Sequence, residues 1–305
     1  MADIKLFNIK TGVAAEIKAG PMALERSLQR LFEANLETLL GVKVLASEYA
    51  ISEGRMDTLG IDENHCPVIL EYKRHSNENI ITQGLFYLDW LMNHRDSFKI
   101  LTMDRLGKDA ADKIDWSVPR LICIAADFNK YDEHAVRQMS RNIELIRYRL
   151  FGDELLLLDQ ITSSTGSTLQ SNNSRVDGVK SSPSKSNKVS VTEQLKSADG
   201  ELTKLYDDFL DFVGSLGDDI QSRQLQMYIA FARLRNFACL EVRRQRGIVL
   251  LYLSLDPNDI EFEEGFTRDM RGIGHYGTGD VEVIISSSET LERAKPMIKA
   301  AYDKS

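Results

Sequence analysis

Apolar residues recur at helical spacing through Leu24, Leu28, Leu31, Phe32, Leu36, Leu39 and Leu40. The run follows a Gly20-Pro21 start and stops at Gly41, which predicts a first long helix. The period then shortens. Val44 to Ile51 reads as a strand, and so do Arg55 to Ile61 and Pro67 to Lys73, joined by the turn-like Asp62-Glu63-Asn64-His65. Asn79 to Asn93 returns to an amphipathic helical pattern. Phe98 to Thr102 and Arg120 to Ala125 read as short strands, with a helical stretch from Met103 to Lys113 between them. A helix near Glu133 to Asn142 and the apolar Leu155 to Leu158 follow. Alternation of this kind predicts an α/β fold, a mixed sheet flanked by helices.

From Ser163 to Ser190 the chain is rich in Ser, Asn and Gly and nearly empty of large apolar residues. Such a stretch buries too little surface to offset its ordering entropy. The expected organisation is therefore a domain over residues 1–160, a flexible linker over 161–192 and a small α+β domain over 193–305. The last begins with helical stretches near Glu193 to Ser215. Strands at Ala238 to Arg243 and Ile248 to Leu253 follow, with Arg244 to Gly247 as their turn. A glycine-rich loop from Gly272 to Asp280 then leads to a strand, Val281 to Ser286, and a closing helix, Glu289 to Tyr302.

Composition narrows the classes. The 305 residues carry a net charge of -8, which argues against a protein that coats nucleic acid by bulk electrostatics. A local basic patch or a bound cation would still allow contact with phosphate. No apolar run approaches a membrane span, and MADIKLFNIKTG lacks the core of a signal peptide, so a cytoplasmic protein is expected. Cys66, Cys123 and Cys239 have no metal-type spacing and read as ordinary thiols of a reducing compartment.

The candidate chemistry sits on the second and third strands. Pro67-Val68-Ile69-Leu70 has the continuous apolar character of a strand buried on both faces, and it then places Glu71 and Lys73 on one face with Tyr72 on the other. A regular hairpin turning about Asn64 sets Asp57 opposite Glu71, roughly 5 Å apart at Cβ. Two facing carboxylates at the end of a buried strand repel each other and lose hydration. A divalent cation relieves that, and so does Lys73 beside them. Oxygen ligands in small number suit Mg²⁺ or Mn²⁺. On a surface hairpin the same string would simply be solvated, with Lys73 pairing one acid.

Gly54-Arg55-Met56-Asp57, then Glu71-Tyr72-Lys73, then Gln83-Gly84-Leu85-Phe86-Tyr87 resemble the ordered motifs of the PD-(D/E)XK nuclease superfamily. The last segment is similar to the Q-x-x-x-Y pattern of the RecB-like branch. The G-R-x-D start, with the upstream Glu25-x-x-Leu28 and Asn35, is closer to the NucS-like endonucleases. The motif's leading proline is absent, Met56 standing before Asp57. The resemblance covers residues 20 to 100 and implies a restriction-endonuclease-like sheet, Mg²⁺-dependent phosphodiester hydrolysis and DNA as the usual substrate, with RNA open. It implies metal ligation by Asp57 and Glu71, a catalytic Lys73, and Gln83 shaping the site from the next helix. Tyr87 and Glu25 would support these residues, and Arg55, Arg74 and His75 are the nearest candidates for phosphate contact. A non-catalytic nucleic-acid-binding or adaptor protein that keeps the nuclease fold is the alternative.

The C-terminal segment, with its Gly-His-Tyr-Gly-Thr-Gly-Asp string, resembles an uncharacterised bacterial domain often labelled a predicted transport protein. Its glycines lack a Walker ending and precede a strand, which disfavours a nucleotide cradle and leaves a loop-to-strand turn. Arg233, Arg235, Arg243, Arg244 and Arg246 form a locally basic cluster in sequence, a candidate contact for nucleic acid or an acidic partner protein.

Overall fold

In the computed structural model, residues 4–22, 24–74, 79–152, 154–164 and 190–305 are described. The chain divides into two compact units, Met1–Ser164 and Thr165–Ser305.

In the first unit β1 (Leu6–Asn8) and β2 (Ala15–Ile17) form a small hairpin. The main sheet joins β3 (Ala19–Gly20), β4 (Val42–Ile51), β5 (Gly54–Asp62), β6 (Pro67–Lys73), β7 (Arg120–Ala125), β8 (Asn142–Phe151) and β9 (Leu155–Ser164). Its order is β3-β8-β7-β6-β5-β4, with β9 on the other edge of β8. Strands β6, β7 and β8 run parallel, while β4, β5 and β6 form an antiparallel meander. Helix α1 (Glu25–Leu40) precedes the meander and ends where Gly41 takes φ 64°, a conformation that glycine adopts without penalty. Helices α2 (Asn79–Asn93), α3 (Arg95–Leu106) and α4 (Lys108–Asp112) carry the chain from β6 to β7, and α5 (Lys130–Gln138) carries it on to β8.

The sheet is covered on both faces, as an α/β layer requires. Leu59, Ile61, Ile69, Leu121, Cys123 and Leu145 form one core with Ile80, Leu88 and Leu91 of α2 and Val136 of α5. On the opposite face of β6, Tyr72 meets Phe32 of α1 at 5.7 Å between rings. Gly84 lets α2 sit directly on β7, since a Cβ there would stand 2.5 Å from Leu121 Cδ1.

The structure moves several expected elements. Phe98 to Thr102, read as a strand, lies inside α3. Its β-branched Thr102 is accommodated by an Oγ1 bond to the Phe98 carbonyl at 2.9 Å, and both residues are buried. The helix placed near Glu133 to Asn142 begins and ends earlier, as α5. Strand β8 was hidden by Glu144 and Arg147, charged residues whose ion pairs let them sit inside a sheet. Strand β9 extends through Ser164, so residues 161–164 of the expected linker belong to the sheet; its residues 165–189 lie outside the described residues.

The first described helix of the second unit is α6 (Val191–Lys196), which opens two residues before the expected boundary at 193, and α7 (Gly200–Leu216) follows it. Strands β10 (Gln221–Gln224), β11 (Ile229–Ala232), β12 (Asn236–Arg243), β13 (Ile248–Leu253), β14 (Thr267–Asp269) and β15 (Val281–Ile285) form an antiparallel sheet in the order β10-β11-β12-β13-β15-β14. Its core packs Leu205, Phe209 and Val213 of α7, with Leu291, Ala294 and Ile298 of α8 (Ser288–Asp303), against one face. The glycine-rich loop lies against the other face. Gly277 stands where a Cβ would meet the Cys239 side chain at 2.6 Å, and the His275 ring stacks on Tyr252 at 4.4 Å. Among the described residues no helix is long and apolar enough to cross a membrane.

Candidate active site

The meander builds the site. Strands β5 and β6 pair from Ile61↔Pro67 to Thr58↔Leu70, the register of a turn centred on Asn64. One step further, the backbone ladder gives way to side chains. The Asp57 N–H donates to Glu71 Oε1 at 3.2 Å, and the Tyr72 N–H donates to Asp57 Oδ2 at 3.0 Å. The two carboxylates are thus held reciprocally, each by the main chain of the other's strand. Glu71 Oε2 also accepts from Gln83 Nε2 at 3.0 Å, and Gln83 Nε2 reaches the Tyr87 hydroxyl at 3.3 Å. Tyr87 is buried in the core and accepts in turn from the Arg55 N–H at 3.2 Å. Gly54 leaves room for that contact, because a Cβ there would lie 2.8 Å from the Tyr87 oxygen.

Burial sets the electrostatics. Glu71 is 0% exposed, and its pKa rises to about 8, first through desolvation and then through the charge of Asp57. Asp57 is raised as well, again chiefly by burial, with the Tyr72 N–H opposing. Burial works against the charge of Lys73, but the hydrogen bond and charge of Glu25, followed by Asp57 and Glu71, outweigh it and hold the ammonium above its ordinary pKa. Lys73 Nζ lies 3.1 Å from Glu25 Oε1, and the Arg74 N–H donates to Glu25 Oε2 at 3.3 Å.

Asp57, Glu71, Lys73, Gln83, Tyr87 and Glu25 therefore converge on one end of β5 and β6. Arg55 lines a cleft of about 360 Å³ with Glu25, Arg26, Gln29, Glu48 and Asp57, and it pairs with Glu48 at 2.7 Å. Arg74 is exposed at the end of β6, joined to the cluster through its main chain. His75 lies outside the described residues.

Sequence reading missed Gln29, Glu33 and Glu48. The signal for the first two was a polar stripe, Glu25, Gln29 and Glu33, at the spacing of the apolar Leu28, Phe32 and Leu36 beside it. Glu48 gave none. It falls between Ser47 and Tyr49, whose partners Thr58 and Met56 flank Asp57, and it takes φ 54°, a left-handed backbone that disfavours a side chain.

The pair of carboxylates fits a divalent cation. Burial penalises the anionic form of both, the charge of Asp57 adds to the penalty on Glu71, and their donors are hard oxygens. Among the described residues no group of three or more His, Cys, Asp or Glu side chains is placed to enclose an ion. In the second unit the expected basic cluster separates. Arg233 and Arg235 precede β12 while Arg243, Arg244 and Arg246 follow or close it; Arg233 pairs with Asp219 and Arg243 with Glu241.

Comparison with known proteins gives four findings. Residues 191–305 match a domain of unknown function (DUF5655). An uncharacterised protein of Haemophilus influenzae is 30% identical over 302 residues, 98% of this chain and 99% of its own length. A repair endonuclease from Pyrococcus abyssi aligns with 42% of the chain at 18% identity and a TM-score of 0.29, and an EndoMS structure in complex with double-stranded DNA aligns with 42% at 23% identity and 0.26. The matches span about half of each solved chain, 48% and 47%.

Proposed function

The chain belongs to the same family as the Haemophilus influenzae protein, and we propose that its first unit is a divalent-metal-dependent nuclease acting on DNA. The observation that supports this reading best is the reciprocal clasp of Asp57 and Glu71 with Lys73 beside it. Buried facing carboxylates are a cost to the fold unless a cation offsets them or one of them takes up a proton. The resemblance of residues 54–57, 71–73 and 83–87 to nuclease motifs adds to it, since these separate segments come together in space.

In this proposal Asp57 and Glu71 would hold Mg²⁺ or Mn²⁺ through their carboxylate oxygens. The bound cation supplies polarisation of a phosphoryl oxygen and a more acidic water. The chain's own groups do the rest. Gln83 fixes the second oxygen of Glu71, so that carboxylate cannot turn away. Lys73, kept protonated by Glu25, places a positive charge where charge develops on the phosphate. Arg55 and Arg26 stand at the cleft to meet flanking phosphates.

The test is direct. Full-length protein is incubated with single-stranded, duplex, supercoiled and branched DNA, and with RNA, in Mg²⁺ or Mn²⁺. Cleavage is expected, with Asp57→Ala and Lys73→Met each losing about 100-fold or more. Cleavage that survives both substitutions removes the site from the reaction. Metal-independent binding without cleavage makes the protein an adaptor instead.

A further inference from the structure

Helix α1 sends three polar side chains, spaced one turn apart, into its seam with β5 and β6. Glu25 takes Lys73, as described, and Glu33 Oε1 accepts from Thr58 Oγ1 at 2.5 Å. Between them lies Gln29, only 7% exposed. Its Nε2 shares two hydrogens among three acceptors: the Asp57 carbonyl at 2.8 Å, Glu33 Oε1 at 3.0 Å and Ser47 Oγ at 3.2 Å.

The Asp57 carbonyl sits where the strand ladder has already ended, for the last β5–β6 pair is Thr58↔Leu70. On the β4 side the left-handed Glu48 interrupts the regular run between the Ser47↔Thr58 and Tyr49↔Met56 pairs. A main-chain carbonyl in a part-buried position needs a donor. At this level β6 gives its Tyr72 N–H to the Asp57 carboxylate, and Gln29 supplies the carbonyl's donor from the helix.

We propose that Gln29 is a positioning residue of this site, its carboxamide replacing the missing ladder bond and so fixing where the Asp57 carboxylate stands against Glu71. The geometry is independent of what the site does; its consequence for cation binding rests on the nuclease reading. Loss of the amide leaves both carboxylates in place but frees β5 to shift at Asp57. A metal ion that needs both of them then binds more weakly, without any ligand having been removed.

Gln29→Met keeps the volume and removes both donors. In the full chain it is expected to raise by about ten-fold the Mn²⁺ concentration at which the melting temperature responds, a response that Asp57→Ala abolishes. Arg30→Met, at the next and exposed position of α1, is expected to keep the wild-type midpoint. A lower melting temperature with an unchanged Mn²⁺ midpoint overturns the proposal, since Gln29 would then only fasten the helix. Should Gln29→Met not fold, Gln29→Asn, whose amide is drawn back by one methylene, is read in the same way. If the wild type shows no Asp57-dependent Mn²⁺ response, the metal reading fails on its own. Amide hydrogen exchange at Asp57 and Tyr72 then decides the positioning: faster exchange at both in Gln29→Met upholds it, and unchanged exchange overturns it.

Discussion

At the scale of single residues, Glu71 carries the most telling number. Its pKa stands at about 8 against an ordinary 4.5, so the folded state favours the protonated carboxyl. The stability linked to that proton is fully present below about pH 4.5 and is lost as pH rises through about 8. Chelator-treated protein should therefore melt at progressively lower temperature between these limits, whereas Glu71→Gln has no proton to lose and should melt above the wild type near pH 8.5. Mn²⁺ competes with the same proton, so its apparent affinity should rise by up to ~10-fold per pH unit below about 8. Melting curves from pH 5 to 9, with and without Mn²⁺, measure both slopes. A wild-type curve as flat as that of Glu71→Gln would mean that Glu71 is hydrated in solution.

At the scale of elements, the hairpin register depends on a cluster at the far end of β5. Arg120 of β7 donates to Asp62 Oδ2 at 3.0 Å and to both oxygens of Glu144 at 2.7 and 3.0 Å, and all three side chains are buried. Asp62 Oδ1 meanwhile accepts from the Asn64 and Cys66 N–H groups at 2.9 and 2.8 Å, which closes the turn that aligns Asp57 with Glu71. Arg120→Met removes the cation that two buried carboxylates share and should cost about 3–5 kcal/mol in urea unfolding. Asp62→Asn keeps a turn acceptor and should cost less, and equal losses would refute the division of roles. This cluster also shows what the sequence discloses about elements. The turn and register were legible because an apolar run, a polar break and period-two alternation are local signals. Strand β8 was not, because Glu144 and Arg147 look solvent-facing until their partners on other elements are known. The same limit separates the residues of the candidate site. Asp57, Glu71 and Lys73 share one hairpin whose spacing announces them, while Gln29 reaches Asp57 from a helix 28 positions away and Glu48 acts through a backbone angle that no spacing records.

At the scale of the whole molecule, each unit has its own core. One gathers residues from Leu45 to Ile161 and the other from Val191 to Tyr302, with no residue in common. Among the described residues each unit also carries a sheet of its own. Fragments 1–164 and 190–305 should accordingly fold separately, each with a cooperative melt, and the first should keep the Asp57-dependent Mn²⁺ midpoint of the full chain. All the groups that set that midpoint lie between Glu25 and Tyr87. A second unit that recruits DNA or a partner protein would act through tethering, raising local concentration without altering the proposed metal site. Its removal should then weaken nucleic-acid binding, measured by fluorescence anisotropy at fixed salt, and leave the metal requirement unchanged. The net charge of -8 makes salt concentration decisive in that measurement, because a local phosphate contact must overcome the repulsion of the rest of the molecule. A fragment 1–164 that binds as tightly as the full chain would show that the second unit takes no part in recruitment. A fragment that melts without cooperativity would show instead that the first core is incomplete without it.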